Sequence, residues 1–219
     1  MTSPSHAKPL LALAIGDPAG IGPELAAKLL ADPQVRDAAD LLVIGDRRVL
    51  QRGADVAGVT LDLPVIAPGD DIPPGQTTLL DLHHLDPDAI EIGVASKTGG
   101  AFALENFRTG LRFAKAGAVS AVCFTPFNKA ANRMANGVYD DEISFIANEL
   151  DIHVPASEFN VLEGLWNARV TSHVPVSAVA ALITRERVLR AIRLTHASLR
   201  GAGYDTPRIA VAGLNPHAG

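Results

Sequence analysis

A single cysteine, Cys123, stands in 219 residues, so no intramolecular disulfide can form. It sits inside the apolar run Ala121-Val122-Cys123-Phe124 with no charge or helix start to depress its pKa, and it reads as a buried structural thiol rather than a nucleophile. An excess of basic charge is also missing. The 19 Lys and Arg against 24 Asp and Glu leave a net −5, interspersed without a basic stripe, which argues against a nucleic-acid partner. Nor are there long hydrophobic runs: the N-terminal one, Leu10-Leu11-Ala12-Leu13-Ala14-Ile15, is ended by Gly16-Asp17-Pro18 and is too short for a signal-peptide core or a membrane span. The expectation is a cytoplasmic protein with no membrane partner. Internal repeats and low-complexity tracts are absent. What remains, 47% hydrophobic and 20% charged residues, is an ordinary globular composition, enough for one large domain or two lobes.

Short apolar runs recur between helical patterns at Leu41 to Ile44, Val119 to Phe124, Val161 to Leu162 and Ile209 to Val211. Such alternation predicts crossover units and an α/β fold, a mostly parallel sheet with flanking helices. Between Lys97 and Ala116 the apolar positions Phe102, Leu104, Phe107, Leu111 and Ala114 follow helical spacing and stop at Gly117. A second long helix is predicted from about Arg185 to Leu199, with Val188, Leu189, Ile192 and Leu199 inward, Thr184 as N-cap and Gly201 past its end. The Pro- and Gly-rich segment Pro64 to Gly75 excludes a long regular element, and it either links lobes or caps a sheet edge. Ile209-Ala210-Val211-Ala212 reads as a buried strand followed by a short turn-like segment.

The first strand runs into Gly16-Asp17-Pro18-Ala19-Gly20-Ile21-Gly22-Pro23-Glu24 and then into the helix-like Leu25 to Leu30. Strand, glycine loop and helix in that order mark the place where α/β enzymes hold ligands. Three glycines allow a sharp turn and a close approach, and the amides of the helix start can face an anion. The spacing matches neither G-x-G-x-x-G nor a Walker loop, so the alternative of a plain turn stays open.

As a whole, the nonapeptide resembles the N-terminal signature of the 4-hydroxythreonine-4-phosphate dehydrogenase (PdxA) family, and it is similar to the G-D-G-I-G-P-E opening of the isocitrate and isopropylmalate dehydrogenases. Thr125-Pro126-Phe127-Asn128-Lys129 matches the first family too. So does the pair Thr171-Ser172-His173-Val174-Pro175-Val176 and Gly213-Leu214-Asn215-Pro216-His217-Ala218-Gly219, collinear to the last residue. The resemblance implies a two-lobed fold like that of isocitrate and isopropylmalate dehydrogenases. It also implies metal-dependent oxidation by NAD, with NADP as the alternative, of a small hydroxy acid with decarboxylation, in a homodimer that shares its active site. Family members continue beyond their Asn-Pro-His-Ala-Gly segment. Residues 1–219 are therefore expected to hold most of that fold in a truncated copy, with lobe boundaries left open and the C-terminal cofactor-binding portion and a third metal-binding histidine missing.

From the residues alone, His173 and His217 each end a predicted strand beside a stiffening proline, but their spacing carries no local metal-ligand signature, and structural or solvated histidines remain the alternative. The resemblance assigns both as ligands of a divalent cation, with Zn, Mg, Mn and Co all open. By coordinating the substrate hydroxyl such a cation would lower the alcohol's pKa and then polarise the new ketone. Lys129 follows the predicted Val119 to Phe124 strand at the carboxyl edge of the sheet. There it can hold an anion or exchange a proton, or simply be solvated on the next helix's first turn. Where typical members carry a Gly-His-Thr-Glu-Phe segment that contacts phosphorylated substrate, this chain has Asp141-Glu142-Ile143-Ser144-Phe145. Asp141, Glu142 and Ile143 are the substrate-binding candidates. Glu142 only accepts hydrogen bonds and repels phosphate, and Ile143 has no polar side-chain atom. The departure points to a paralogue acting on a hydroxylated acid with a cationic or hydroxyl-rich end.

The other histidines carry less. His83 and His84 on an extended segment would point to opposite faces and make a poor chelate; His6 lies in the N-terminal tail, His153 follows a predicted helix end and His196 belongs to the long helix. Cofactor residues are not assigned, Gly16, Asp17 and Gly20 being adjacent candidates only. The isopropylmalate branch binds metal chiefly through aspartates and does not fit His173 and His217. The competing reading is a non-catalytic small-molecule or anion-binding module on the same fold.

Overall fold

The structure is a computed structural model that describes residues 8–137, 141–154, 156–215 and 217. It divides into two compact units, Met1–Ile152 and His153–Gly219.

The first unit is built on a five-stranded, wholly parallel sheet. Strands β1 (Leu10–Ala14), β2 (Asp40–Gly45), β3 (Val65–Ile66), β4 (Thr78–Asp81) and β5 (Ala121–Phe124) lie in the order β3-β4-β2-β1-β5. Buried on both faces, the central strands need continuous apolar runs, and Ala12, Leu42, Val43 and Ile44 are fully buried. The crossovers are α1 (Gly22–Ala31), α2 (Pro33–Ala38), α3 (Arg47–Ala57) and α4 (Lys97–Lys115), followed after β5 by α5 (Lys129–Ala135) and α6 (Glu142–Leu150). Ser96 caps α4 by accepting the Gly99 N–H at 3.0 Å, and Gly117 leaves the helix end at φ 73°. The predicted stripe of α4 is core: Phe102, Leu104, Phe107 and Leu111 are all buried. A buried aromatic of this size stabilises by roughly 2–3 kcal/mol. Because every strand is parallel, Ala14, Gly45, Asp81 and Phe124 end at one carboxyl edge. The Pro64 to Gly75 segment contributes the edge strand β3, so it caps the sheet.

Cys123 corrects the expectation of burial, because it is exposed. Among the described residues β5 pairs with β1 alone, and its Phe124 packs on Phe107 of α4 at 4.9 Å between ring centroids. Cys123 points to the opposite face of this edge strand, and an apolar run there covers one side only.

The second unit contains an antiparallel hairpin of β6 (Asn160–Leu162) and β7 (Leu165–Asn167), with Gly164 at φ 73° in its turn, and helices α7 (Val176–Leu182) and α8 (Arg185–Gly201). Thr184 caps α8 by accepting the Arg187 N–H at 3.3 Å. Two expectations fail here. Val161 and Leu162 belong to the exposed hairpin rather than to the parallel sheet, and Ile209–Ala212 forms no strand. Without a ladder partner among the described residues, that segment instead lines a cavity of about 710 Å³ with Trp166, Leu199 and Tyr204.

Candidate functional site

At the carboxyl edge of β1 and β5 the two signature loops are tied to one another. Gly16 N–H donates to Thr125 Oγ1 at 2.8 Å, Asp17 N–H to the Pro126 carbonyl at 3.0 Å, and Thr125 N–H to the Ala14 carbonyl at 3.1 Å. A Cβ on Gly16 would lie 2.3 Å from the carbonyl oxygens of both Thr125 and Pro126. Only glycine permits that approach. The rest of the loop is bonded internally: Ala19 N–H donates to Asp17 Oδ1, Gly20 N–H to the Asp17 carbonyl, and Arg52 and Gly93 donate to the carbonyls of Pro18 and Ala19. In this arrangement the glycines serve chain-to-chain packing, and the amides of residues 16, 17, 19 and 20 already have acceptors inside the protein.

Lys129 begins α5. Its position is set by Asn128, whose Oδ1 accepts the Ala130 and Ala131 N–H groups at 3.1 and 3.2 Å. α6 begins in the same way: Asp141 accepts the Ser144 N–H at 2.7 Å, and Glu142 follows in the first turn. The two helix starts bring together residues that the sequence separates by thirteen positions. Lys129 Nζ lies 3.8 Å from Glu142 Oε2, with half of the lysine side chain and 21% of the glutamate exposed. Ile143 is partly buried beside them. Buried Phe145 fixes α6 by stacking on Phe107 at 5.7 Å, while Arg108 sits 5.5 Å above its ring and pairs with Glu149 at 2.9 Å. Burial works against the Arg108 charge, but hydrogen bonds to Glu105 and Glu149 more than offset it, and its pKa is raised.

His173 and His217 both lie in the second unit and both are exposed. His173 adopts φ 56°, in the left-handed region, at the turn before α7. Pro216, Ala218 and Gly219 of the second block lie outside the described residues, as does His6. His196 is exposed on α8.

One cluster escaped the sequence reading. Ligand atoms of Asp46, Asp81 and His83 lie within 4.8 Å of one another at the ends of β2 and β4. The signal was present, since Asp46 and Asp81 each terminate an apolar run and adjacent parallel strands align their ends. These carboxylates are already engaged. Fully buried Asp46 caps α3 through the Arg48 N–H at 2.9 Å and grips the same guanidinium at 3.0 and 2.8 Å, while Asp81 Oδ1 accepts from the Arg47 and His83 amides. Burial raises the Asp46 pKa, but the hydrogen bonds and charge of Arg48 prevail and hold it below the ordinary carboxylate value. A cation here would have to displace Arg48, so the donor set suits an internal ion pair better than a metal. His84 goes elsewhere, stacking on Phe102 at 4.9 Å, and burial chiefly lowers its pKa.

Comparison with known proteins adds an independent line. Residues 37–219 match the family model described as "Pyridoxal phosphate biosynthetic protein PdxA". The chain is 54% identical over 214 residues to a Rhizobium meliloti (strain 1021) protein, and 41% identical over 222 residues to a Pseudomonas aeruginosa one. Both bear the name "Putative 4-hydroxythreonine-4-phosphate dehydrogenase 2". These alignments cover 97% and 100% of this chain but 62% and 65% of the relatives, so the chain spans less than two thirds of their length. A crystal structure of a 4-hydroxythreonine-4-phosphate dehydrogenase from Burkholderia phymatum superposes with a TM-score of 0.81 at 28% identity, covering 97% of this chain and 64% of that one. A terephthalate 1,2-cis-dihydrodiol dehydrogenase from Burkholderia xenovorans LB400 superposes with a TM-score of 0.62 at 29% identity, covering 96% and 63%.

Proposed function

The chain belongs to the family of pyridoxal phosphate biosynthetic protein PdxA, and on that premise we propose that it carries the larger part of a metal-dependent, NAD(P)-linked dehydrogenase that oxidises and decarboxylates a small hydroxy acid. The observation that carries this reading is the carboxyl edge of β1 and β5. There both family signatures are hydrogen-bonded to one another, and a half-exposed Lys129 stands at the rim. The similar proteins are named as dehydrogenases of hydroxylated compounds, one of them a dihydrodiol rather than a phosphate ester.

In this reading Lys129 holds the substrate's carboxylate or exchanges a proton with it; as a compact cation with three donors it suits either task. His173 and His217 are assigned to the divalent cation. Both imidazoles are exposed, and among the described residues neither ring has a hydrogen bond or ion pair, which leaves their nitrogens available to a borderline metal. The implied groups supply, when bound, Lewis acidity and a hydride acceptor. Gly16 and Thr125 keep the two loops in register, and Asn128 fixes the helix start from which Lys129 projects. A homodimer with a shared site and a cytoplasmic location complete the proposal. Among the described residues, no helix is long and apolar enough to cross a membrane. A non-catalytic anion-binding module has less support, because the loop amides of residues 16, 17, 19 and 20 are bonded internally and leave only the start of α1 to face an anion.

Metal analysis tests the assignment. Purified full-length protein should retain stoichiometric divalent metal and lose it in the His173→Ala, His217→Ala double variant, with metal-dependent NAD(P) reduction falling at least ~100-fold, the upper end of what loss of a partner outside the ligand shell costs. Full metal occupancy in the double variant would overturn it.

A further inference from the structure

The start of α6 already contains its own anions. Asp141 accepts the Ser144 N–H, and Glu142 occupies the first turn of this nine-residue helix. The positive end that would otherwise attract a phosphate is thus neutralised from within the chain. Glu142 also faces Lys129, at a separation of 3.8 Å. That is too long for a hydrogen bond, so Glu142 balances the charge of the ammonium without taking up one of its donors. Arg108, partly buried over the Phe145 ring of α6, is committed to Glu105 and Glu149. One cation and two carboxylates therefore stand together at these helix starts.

We propose, resting on the dehydrogenase reading above, that Glu142 sets substrate specificity. The site accepts a hydroxy acid that presents a hydroxyl to Lys129 and Glu142, and it rejects one that presents a phosphate dianion there. A hydroxyl can bridge the pair, donating to Glu142 Oε2 and accepting from Lys129 Nζ. A dianion meets Glu142 with both charges and finds Lys129 already compensated. For like charges about 5 Å apart at an effective dielectric near ~20, the penalty corresponds to roughly a hundredfold in binding per unit charge. Removing the Glu142 charge would release Lys129 to act as an anion receptor.

The experiment compares 4-hydroxythreonine with its 4-phosphate ester on the full-length protein, as wild type, Glu142→Gln and Glu142→Asp. Relative kcat/KM and relative affinity by titration calorimetry are both read, with inorganic phosphate as a bare probe. The wild type should favour the unphosphorylated compound by at least ~10-fold. Glu142→Gln should move the ratio toward the ester by roughly 10- to 100-fold and tighten phosphate binding, whereas Glu142→Asp should leave the ratio nearly unchanged. A wild type that prefers the ester, a ratio unmoved in Glu142→Gln, or the absence of binding by both compounds overturns the proposal. If binding shows the expected ratio but no hydroxy acid reduces NAD(P), the dehydrogenase reading falls and the charge rule stands. Should Glu142→Gln fail to fold, the wild-type ratio decides alone.

Discussion

The two units of this chain differ in how completely each buries itself. In Met1–Ile152 the strands and α4 carry a dense set of buried side chains, while in His153–Gly219 only Thr195 and Leu199 are buried among the described residues. Val161, Leu162, Leu165, Val176, Val211 and Leu214 of the second unit stay exposed, and cavities of about 400 and 710 Å³ open in it. Charge divides the same way. The first unit holds twelve Lys and Arg against twenty Asp and Glu, the second seven Arg against four acids and no lysine. Burial, more than secondary structure, separates them. α8 is as long and as well capped as many helices of the first unit, yet it buries two residues where α4 buries nine. Helical stability comes mainly from the packed face.

The strongest way to break the comparison is to remove a large side chain from each unit. Phe107→Ala empties the contact with Phe124, Phe127 and Phe145 and should cost about 3–5 kcal/mol in denaturant unfolding. Val161→Ala, on an exposed hairpin residue, should stay within ~0.5 kcal/mol. Similar losses would mean that the second unit is as well packed as the first.

Glycines sharpen the contrast at a smaller scale. Gly16→Ala drives a Cβ into two carbonyl oxygens and should destabilise by about 2 kcal/mol or more, a scale set by overpacking. Gly201→Ala, with open space around its Cβ at the end of α8, should be neutral or stabilise by up to ~1 kcal/mol. Thermal melts of the two variants read the difference. A harmless Gly16→Ala would mean that the two signature loops are not in contact.

The smallest expected effect is a pH dependence in the first unit. Burial lowers the His84 pKa below its ordinary 6.5, so as pH falls through 6.5 the unfolded chain takes up the proton first. The His84 contribution is complete above 6.5 and is lost progressively toward the lowered folded value. His84→Gln should flatten the stability profile in that window, monitored by denaturant midpoints between pH 7.5 and 5; an unchanged slope would exclude His84 as its source.

Much of this was legible in the chain. Buried parallel strands need continuous apolar runs, which revealed β1 and β2, the largely exposed β5 carried a similar run, and the 3.6-residue stripe with its Gly117 stop delimited α4. The helix starts carrying Lys129 and Glu142 were readable from their neighbours, but their contact was not, since it depends on how α5 and α6 pack beside α4. Ile209–Ala212 looked like a strand because its composition is β-rich; a strand requires a partner ladder, and composition does not supply one. Cys123 failed for a related reason, because an apolar run does not reveal whether its strand lies at the sheet's edge.

By itself, then, the sequence determined the local elements and the residue types offered at their ends, because periodicity, caps and turn chemistry act over a few residues. The tertiary structure alone decided which of those residues meet. It gave the glycine loop to Thr125 and Pro126, set Asp46 against Arg48 and His84 against Phe102, and placed Glu142 beside Lys129. Such pairings depend on the register and packing of elements far apart in the chain, and the free energy of a charge or a ring is settled by its neighbours in space.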